Sequence, residues 1–360
     1  MKVLVLKTSS LGDIIHTLPA LSDAHAMIPS IRFDWLVEED FADIPAWHPA
    51  VDRVMPIALR RFKKAPGALL KKGLWRGWLR DLRTEHYDLV IDVQGLLKSA
   101  LLSLCARSRL RAGFDWQSAR ESWVSVFYGR RARVAVDQHA IIRNRTLFGS
   151  ILGYDHSHCA LNYGIAQKIL EQGIAHQNLG TSLHLQKPYV VFLHGTTWAT
   201  KHWPEAYWCR LAVQLAEAGY EIQLLWGSTV EYERALRIAA VTEQARVMPQ
   251  KLSLSGAAAV LAQAVAIVSV DTGLGHLASA LGVPMVSLYG PTDPRRSGMV
   301  GEKQISLSAD FHCAPCLRRV CLYAGQQSID PPCFASLDPD RVWQALSPYL
   351  KTIPQAGQVQ

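Results

Sequence analysis

Two polar loops constrain the fold of this chain most, because each follows a buried strand pattern and precedes a helical one. The first loop spans residues 195–204 and the second spans residues 269–276. Apolar runs rich in β-branched residues lead into them, at 189–193 and 266–270. Strands that alternate with helices in this way require parallel sheets. Both loops therefore fall at the carboxyl edge of a parallel sheet, where open α/β sheets bind ligands.

The chemistry of these two loops favours a diphosphate ligand. Backbone N–H groups, the positive end of a helix dipole and a nearby cation are the groups that bind phosphate. Clusters of Ser, Thr and Gly after strands also serve as ordinary N-caps and turns. Because two such loops occur in one half of the chain, and because they offer small hydroxyl residues, glycines, one lysine and a helix N-terminus, we predict a nucleotide-diphosphate site there.

The length of 360 residues predicts two domains, because a single core of that size is uncommon. We place a first α/β domain at residues 1–165 and a second at residues 188–345. The linker is assigned to residues 166–187, where polarity is mixed and periodicity weak, and residues 346–360 are assigned to a C-terminal tail.

The hydrophobic pattern indicates a cytoplasmic globular protein. Only four apolar residues separate Lys2 from Lys7, so no signal peptide is recognisable. No run of about eighteen apolar residues is present, which is the minimum expected for a membrane-spanning helix.

Positive charge is concentrated in the first half of the chain. The first 165 residues hold 23 Lys and Arg against 16 Asp and Glu, whereas the remainder holds 15 against 14. The excess lies between Arg60 and Arg83, interleaved with Leu70, Leu74 and Trp78 at helical spacing. Such a segment is typical of a helix that binds a membrane surface. The alternative is a solvated cationic face above an ordinary core stripe; nucleic acid is not expected, because no binding motif is present.

Five short motifs occur in a distinctive order along the chain. They are Lys-Thr-Ser-Ser-Leu-Gly-Asp at 7–13, His-Thr-Leu-Pro-Ala at 16–20, Lys-His-Trp-Pro at 201–204, Asp-Thr-Gly at 271–273 and Tyr-Gly-Pro-Thr-Asp-Pro at 289–294. Together they resemble the bacterial ADP-heptose lipopolysaccharide heptosyltransferases, and the resemblance is closest to heptosyltransferase I. Further matching segments at 33–39, 92–99 and 115–120 extend the resemblance over nearly the whole chain.

This resemblance implies a GT-B fold, in which two Rossmann-like domains with parallel sheets face a central cleft. It implies an acceptor-binding N-terminal domain and a nucleotide-sugar-binding C-terminal domain. The implied reaction transfers L-glycero-D-manno-heptose from ADP-heptose to the Kdo of Kdo2-lipid A, with inversion and with ADP as product. The enzyme would need no cofactor and would associate peripherally with the cytoplasmic face of the inner membrane.

The resemblance also implies roles for individual residues. An inverting transfer needs a base for the acceptor hydroxyl and groups that hold the leaving diphosphate. Asp13 matches the base, although a carboxylate at a helix start can also serve only as a cap. Donor-binding residues are implied at Thr196, Thr197, Lys201, Glu231, Asp271, Thr272, Gly273, Gly275 and His276. Acceptor-binding residues are implied at Lys7, Ser9, Ser10, Arg60, Arg61, Lys64 and Arg120.

Two of the implied donor residues have ordinary structural alternatives. Glu231 could be a first-turn glutamate that interacts only with its helix dipole, and His276 could pack on a helix face. In addition, Trp198-Ala199-Thr200 stands before Lys201 where related sequences carry polar or acidic residues.

Four of the seven cysteines lie close together in the sequence, at Cys313, Cys316, Cys321 and Cys333. Their spacing differs from the paired CxxC motifs of a zinc ribbon, so three interpretations stay open. They are a structural Zn or Fe site, reduced thiols, and a disulfide, the last of which a reducing cytosol disfavours.

Three other functions remain as alternatives. One is a heptosyltransferase with a different acceptor, either a heptosyl core or an autotransporter protein. Another is a GT-B sugar-nucleotide 2-epimerase, which would release an epimerised donor without any acceptor. The third is a non-catalytic cationic scaffold at the membrane.

Overall fold

The computed structural model describes residues 1–64, 74–175, 188–325 and 329–350. The chain divides into two compact units, Met1–Ile165 and Ala166–Gln360. Each unit contains one six-stranded sheet whose paired strands run parallel. The predicted α/β class with parallel sheets is confirmed.

The first unit alternates strands with helices around its sheet. Its strands are β1 (Lys2–Leu6), β2 (Arg32–Glu38), β3 (Val51–Ile57), β4 (Tyr87–Asp92), β5 (Ser108–Phe114) and β6 (Arg130–Ala132). Its helices are α1 (Leu11–Ile15), α2 (Leu18–Met27), α3 (Asp43–Ala46), α4 (Leu59–Lys64), α5 (Leu74–Leu82), α6 (Leu97–Cys105) and α7 (Ala140–Leu152). Short 3₁₀ helices occur at Glu39–Phe41 and Ser122–Phe127.

The second unit repeats this alternation. Its strands are β7 (Tyr189–Leu193), β8 (Glu221–Leu224), β9 (Ala245–Val247), β10 (Ala266–Val270), β11 (Met285–Tyr289) and β12 (Gln304–Ser308). Its helices are α8 (Ala166–Ala175), α9 (Glu205–Glu217), α10 (Thr229–Ala239), α11 (Leu254–Ala262), α12 (Gly273–Ala280), α13 (Pro294–Ser297) and α14 (Pro339–Leu346). The 3₁₀ helices are Ala199–Lys201, Pro332–Ser336 and Ser347–Tyr349.

The two sheets have the same strand order. In the first unit it is β3-β2-β1-β4-β5-β6, and in the second it is β9-β8-β7-β10-β11-β12. This doubly wound order reverses direction between the first and fourth strands of each sheet, and the crevice outside the strands' carboxyl ends at that point is where such folds bind ligands. The loops after β1 and β4 in one unit, and after β7 and β10 in the other, therefore lie where a ligand is expected.

Most residues of the strands at both switch points are buried, as expected for parallel strands with helices on both faces. In β1, the residues from Val3 to Leu6 have no exposed surface, and all five residues of β10 are buried. Pairing of Leu6 with Asp92, and of Leu193 with Ser269, aligns the carboxyl ends of neighbouring strands. The loops that follow these strands therefore begin at the same level of each sheet.

The segment predicted as a linker is partly helical. Helix α8 covers residues 166–175 and packs against α11 of the second unit, while residues 176–187 lie outside the described residues. In the predicted tail, Ser347–Tyr349 forms a 3₁₀ helix, and residues 351–360 are not described.

The basic segment contains helices α4 and α5, and residues 65–73 between them are not described. On α5, Leu82 is fully buried and Trp78 packs against a core of the first unit, so part of the apolar stripe has an ordinary core role. Within the described part of the chain, no helix combines the length and apolar character needed to cross a membrane.

Candidate active site

The two predicted phosphate loops meet in the second unit. They follow β7 and β10, which are neighbours in the sheet. The Thr196 hydroxyl donates a 3.1 Å hydrogen bond to the backbone carbonyl of Asp271, which ties one loop to the other. Thr197, next along the chain, is exposed. The structure thus brings together residues that are about seventy-five positions apart in the sequence.

Lys201 points to the second loop, where its Nζ lies 2.7 Å from Oδ2 of Asp271. Aromatic packing anchors the segment that carries it. Trp203 is 1% exposed, its ring centroid is 4.9 Å from that of Trp208, and its indole N–H donates to the carbonyl of Leu337 at 2.7 Å. Because Trp203 is fixed in the core, the lysine two residues earlier has a defined position at the sheet edge.

Asp271 is the centre of a small polar network. Oδ2 also accepts a 2.8 Å hydrogen bond from the Thr292 hydroxyl, and Oδ1 lies 3.8 Å from Nε2 of His276. Burial by itself would raise the pKa of Asp271, but the interaction with His276 and the charge of Lys201 outweigh burial and hold that pKa well below its usual range. Asp271 is therefore an anion at neutral pH, and in this structure it compensates the charge of Lys201.

Helix α12 begins directly after Asp271, with Thr272 as N-cap and Gly273 as first residue. A Cβ on Gly275 would lie 2.6 Å from the Ser269 hydroxyl and closer still to Met299, so only glycine permits this approach of the helix to β10. The free N–H groups and positive dipole end of α12 consequently lie beside the Lys201–Asp271 pair. His276 is buried on this helix, as the packing alternative also expected.

Glu231 reaches the first loop from helix α10. Its Oε2 accepts a 2.7 Å hydrogen bond from the N–H of Gly227, while its own N–H is capped by the Ser228 hydroxyl at 3.3 Å. A Cβ on Gly195 would lie 2.5 Å from the carboxyl carbon of Glu231, so the carboxylate lies directly over that glycine. Glu231, a predicted donor-binding residue from a different βα unit, therefore lies next to the loop that carries Thr196.

In the first unit, Asp13 lies in α1 after β1. Its Oδ2 accepts hydrogen bonds from the backbone N–H and the hydroxyl of Ser10, at 2.9 and 2.8 Å, and its Oδ1 lies 3.9 Å from Nζ of Lys7. Enclosure by surrounding protein raises its pKa, but the charge of Lys7 and the two bonds from Ser10 lower it to about 2. The side chain is 43% exposed, so solvent reaches the carboxylate. Asp13 caps its helix and also presents an oxygen that Ser10 does not occupy.

The loop before Asp13 is held by a residue that the sequence analysis did not single out. The side-chain oxygen of Gln94 accepts the N–H groups of Thr8 and Ser9, at 3.1 and 3.4 Å. Gln94 is itself positioned by Asp92, whose Oδ1 accepts the Gln94 N–H at 2.8 Å. The position of Gln94 soon after a central strand was the available sequence signal. Its role could not be predicted from that position alone, because it depends on β4 being the neighbour of β1.

The predicted acceptor arginines are paired with acids in this structure. Arg61 lies 3.0 Å from Glu39 and Arg60 lies 3.6 Å from Asp40, and all four side chains are exposed. Exposed pairs of this kind contribute about 0–1 kcal/mol, so an anionic ligand can displace them. Lys64 ends α4, and its side chain lies outside the described residues.

A further lysine of this region was missed by the sequence analysis. Lys98, near the start of α6, has its pKa lowered by partial desolvation and by nearby positive charges, while the charge of Glu38 opposes the change. The positive charges that act on it are those of Arg60, Lys7 and Arg120. Lys98 therefore lies within electrostatic range of three other cations, and one of them, Lys7, is also the cation next to Asp13.

The four clustered cysteines line one cavity of about 470 Å³ in the second unit, and all four carry free thiols. Burial and the neighbouring thiols raise the pKa of Cys333 to about 11. Among the described residues, no group of three or more His, Cys, Asp or Glu side chains is arranged to hold a metal ion.

Sequence comparison agrees with this architecture. Residues 75–326, more than half of the chain, match the sequence model of Glycosyltransferase family 9 (heptosyltransferase). The chain belongs to this family. The lipopolysaccharide heptosyltransferase 1 of Pseudomonas aeruginosa is 50% identical over 351 residues, covering 95% of this chain and 96% of that protein. The predicted family and the predicted glycosyltransferase activity are confirmed.

Solved structures of the family resemble both units. The E. coli heptosyltransferase WaaC with ADP matches at a TM-score of 0.83 and 43% identity, covering 97% of this chain and 100% of that chain. WaaC with ADP-2-deoxy-2-fluoro heptose matches at a TM-score of 0.76 and 46% identity, covering 86% and 94%. The predicted GT-B fold with two Rossmann-like domains is confirmed for this family 9 glycosyltransferase.

Proposed function

We propose that this enzyme transfers L-glycero-D-manno-heptose from ADP-heptose to the Kdo of Kdo2-lipid A, with inversion at the anomeric carbon. The observation that carries the proposal is the Lys201–Asp271 pair beside the α12 N-terminus at a sheet switch point. It supplies a cation and free N–H groups for a diphosphate. A relative of known structure was solved with ADP, and another structure of it holds a fluorinated ADP-heptose analogue.

The second unit is the proposed donor side. Lys201 and the α12 N-terminus would receive the diphosphate, and Thr196, Thr197 and Thr272 offer hydroxyls to the same group. Glu231 is the proposed partner of the ribose hydroxyls, since its carboxylate lies over Gly195 in the same loop. Asp271, which holds Lys201 in place, is the proposed sugar-side residue, and His276 is the proposed phosphate-side residue.

The first unit is the proposed acceptor side, with Asp13 as general base. The acceptor hydroxyl oxygen attacks the anomeric carbon of the heptose, and the bond from that carbon to the β-phosphate oxygen breaks. The hydroxyl proton passes to Asp13, and ADP leaves with its charge held by Lys201 and α12. A carboxylate with a pKa of about 2 is a weak base, so Asp13 must act through its position and gain basicity once Lys7 pairs with the anionic acceptor.

The acceptor proposal rests on positive charge in the first unit. Lys7 lies next to Asp13, and the charges of Lys7, Arg60 and Arg120 act on Lys98. The other proposed acceptor residues, Ser9, Ser10, Arg61 and Lys64, lie close to Lys7 or Arg60 in the sequence. Kdo carboxylates and lipid A phosphates are anions that such a group would bind. The same excess of positive charge supports peripheral association with the cytoplasmic face of the inner membrane.

We propose that no cofactor is needed. The charges required at the leaving group come from Lys201 and the helix terminus, and the thiol cavity is assigned no step in the reaction. A structural Zn or Fe at the four clustered cysteines is compatible with this assignment. Assaying heptosyl transfer before and after treatment with a chelator checks it, because loss of transfer that only added metal restores would contradict it.

The test of function is incubation of the purified protein with ADP-heptose and deacylated Kdo2-lipid A, followed by mass spectrometry and anomeric NMR of the product. We expect one added heptosyl group of inverted configuration. Transfer of heptose only to a heptosylated core or to a protein would show that the acceptor is that molecule and not Kdo2-lipid A. Conversion of the donor to an epimer without acceptor would indicate an epimerase, and acceptor binding without any turnover would indicate a scaffold.

A further inference from the structure

Trp198 in the first donor loop contacts two cations. Nζ of Lys201 lies 4.5 Å from the centroid of its ring, and the guanidinium carbon of Arg319 lies 5.1 Å from the same centroid. The two positive charges are therefore within about 10 Å of each other, and both contact the same aromatic ring. Arg319 comes from a segment more than a hundred residues further along the chain.

The segment that carries Arg319 is fixed to the carboxyl edge of the second sheet by two consecutive residues. The N–H of Leu317 donates to the carbonyl of Pro291 at 2.8 Å. The carbonyl of Arg318 accepts the Thr200 hydroxyl at 2.6 Å. Arg319 follows immediately, so its backbone is placed by the same loops that carry the donor residues.

A continuous series of contacts connects the Arg319 segment to the residues of the proposed diphosphate site. Pro291 precedes Thr292, whose hydroxyl binds Asp271; Asp271 binds Lys201, and Lys201 and Arg319 both contact Trp198. The cavity lined by the four cysteines lies against the same segment, since Thr200, Pro291 and Arg318 line it as well. The cysteine-containing loop thus shapes the surface from which Arg319 extends.

Of the two cations that contact Trp198, Arg319 is the one whose charge is available for a ligand. Lys201 is compensated by Asp271 at 2.7 Å. Among the described residues, Arg319 makes no salt bridge with a carboxylate, and it is exposed. A diphosphate carries more negative charge than one compensated lysine and one helix terminus can balance, and a guanidinium is well suited to phosphate oxygens.

We propose that Arg319 is a further donor-binding residue, which contacts the diphosphate of the nucleotide sugar and of the ADP product while Trp198 orients it. The inference rests on the proposed donor site of the second unit. It gives a function to Trp198 and to the segment between the clustered cysteines.

The test is titration calorimetry of ADP, AMP and adenosine with the full-length wild type, Arg319→Gln and Arg318→Gln. Arg318→Gln is the matched control, because it removes the neighbouring charge but keeps the backbone carbonyl that binds Thr200. We expect Arg319→Gln to weaken ADP binding by about 5- to 20-fold, less than a buried contact would because the side chain is exposed. Adenosine binding should be unchanged, and Arg318→Gln should stay within about twofold of the wild type.

Salt dependence gives a second readout that a purely structural role would not change. Wild-type affinity for ADP should fall more steeply with ionic strength than that of Arg319→Gln, because one screened interaction is missing in the variant. Equal ADP affinity and equal salt slopes in wild type and Arg319→Gln would overturn the inference while leaving the donor site intact. An acceptor KM raised by the variant, with ADP binding unaltered, would also overturn it. Failure of the wild type itself to bind ADP would instead refute the proposed function together with this inference.

Discussion

At the scale of single residues, the Lys201–Asp271 pair connects stability to ligand binding. Both side chains are largely buried, at 16% and 10% exposure, so removing one partner leaves the other as an uncompensated buried charge or cavity. In the free enzyme the lysine is held by the aspartate, and a bound diphosphate would compete for it. The pair therefore keeps the lysine in position before the donor arrives.

This arrangement makes a prediction for Lys201→Met. ADP affinity should fall by about 1.5–3 kcal/mol, the scale of a charged hydrogen bond. The thermal midpoint of unfolding should also fall, because Asp271 loses its cation. The matched control is the double variant Lys201→Met with Asp271→Asn, which should regain stability but not ADP affinity. Calorimetry showing wild-type affinity in the single variant would remove Lys201 from the site.

His48 predicts a pH dependence of stability in the first unit. The ring is 1% exposed, its Nδ1 accepts the N–H of Ala50 at 3.2 Å, and its Nε2 lies 2.9 Å from the Ser22 hydroxyl. Burial, with a smaller contribution from His25, lowers its pKa to about 4. In the unfolded state His48 has a pKa of about 6.5, so as pH falls it is protonated there before it is protonated in the folded state. The contribution of neutral His48 to the free energy of unfolding is therefore complete above about pH 6.5 and is lost toward pH 4.

Acidification from about pH 7.5 to 5 should therefore lower the free energy of unfolding by up to about 2 kcal/mol through protonation of His48. His48→Gln should be less stable at neutral pH but should lose less stability on acidification. Denaturation midpoints of both proteins at the two pH values provide the measurement. An identical acid shift in wild type and variant would show that His48 is not held neutral by the fold.

At the scale of elements, helix α12 illustrates how a strand, a helix and a glycine together form a binding surface. The helix can present its N-terminus beside Lys201 only because Gly275 lets it approach Ser269 of β10. We expect Gly275→Ala to destabilise the second unit by about 1–3 kcal/mol, the cost of overpacking, and to weaken ADP binding.

The matched control is Gly256→Ala in helix α11, where the nearest atom to an added Cβ lies 3.4 Å away, an ordinary contact. That substitution should be neutral or stabilising by up to about 1 kcal/mol, because it removes freedom from the unfolded chain. Thermal unfolding and ADP titration of both variants provide the comparison. If both alanines behave alike, close packing of α12 does not set the position of its N-terminus.

The sequence supports prediction of features that depend on local pattern. The runs at 189–193 and 266–270 are β-branched and apolar, and both are strands followed by the expected loops. Features that depend on strand order were not accessible. Gln94 matters because β4 neighbours β1, and the pairing of Arg60 and Arg61 with acids follows from the adjacency of β2 and β3. Helix α8 lies in the segment assigned to the linker and packs against α11, a contact between segments far apart in the sequence that local pattern does not reveal.

At the scale of the whole molecule, the charge asymmetry predicts how the acceptor is bound. The substitutions Arg60→Gln, Arg61→Gln and Lys64→Gln, made together, should raise the acceptor KM and leave donor affinity unchanged. The wild-type acceptor KM should climb with ionic strength, because screening shortens such attraction to about 8–10 Å at physiological salt, and the triple variant's should climb less. Equal salt slopes would identify this patch as a solvated face only.

The two units have different proposed roles in catalysis: the first carries the general base, and the second carries the groups that contact the leaving diphosphate. The most direct test is acceptor-dependent ADP release by wild type and Asp13→Asn, measured beside ADP affinity for both proteins. Asparagine retains an oxygen that can accept the Ser10 hydrogen bonds, so the fold of α1 should persist. We predict that ADP affinity is unchanged and that turnover falls by about 10²–10⁴-fold, the usual scale for a lost general base. Retention of most of the wild-type turnover by Asp13→Asn would contradict the account, because Asp13 would then act only as a helix cap.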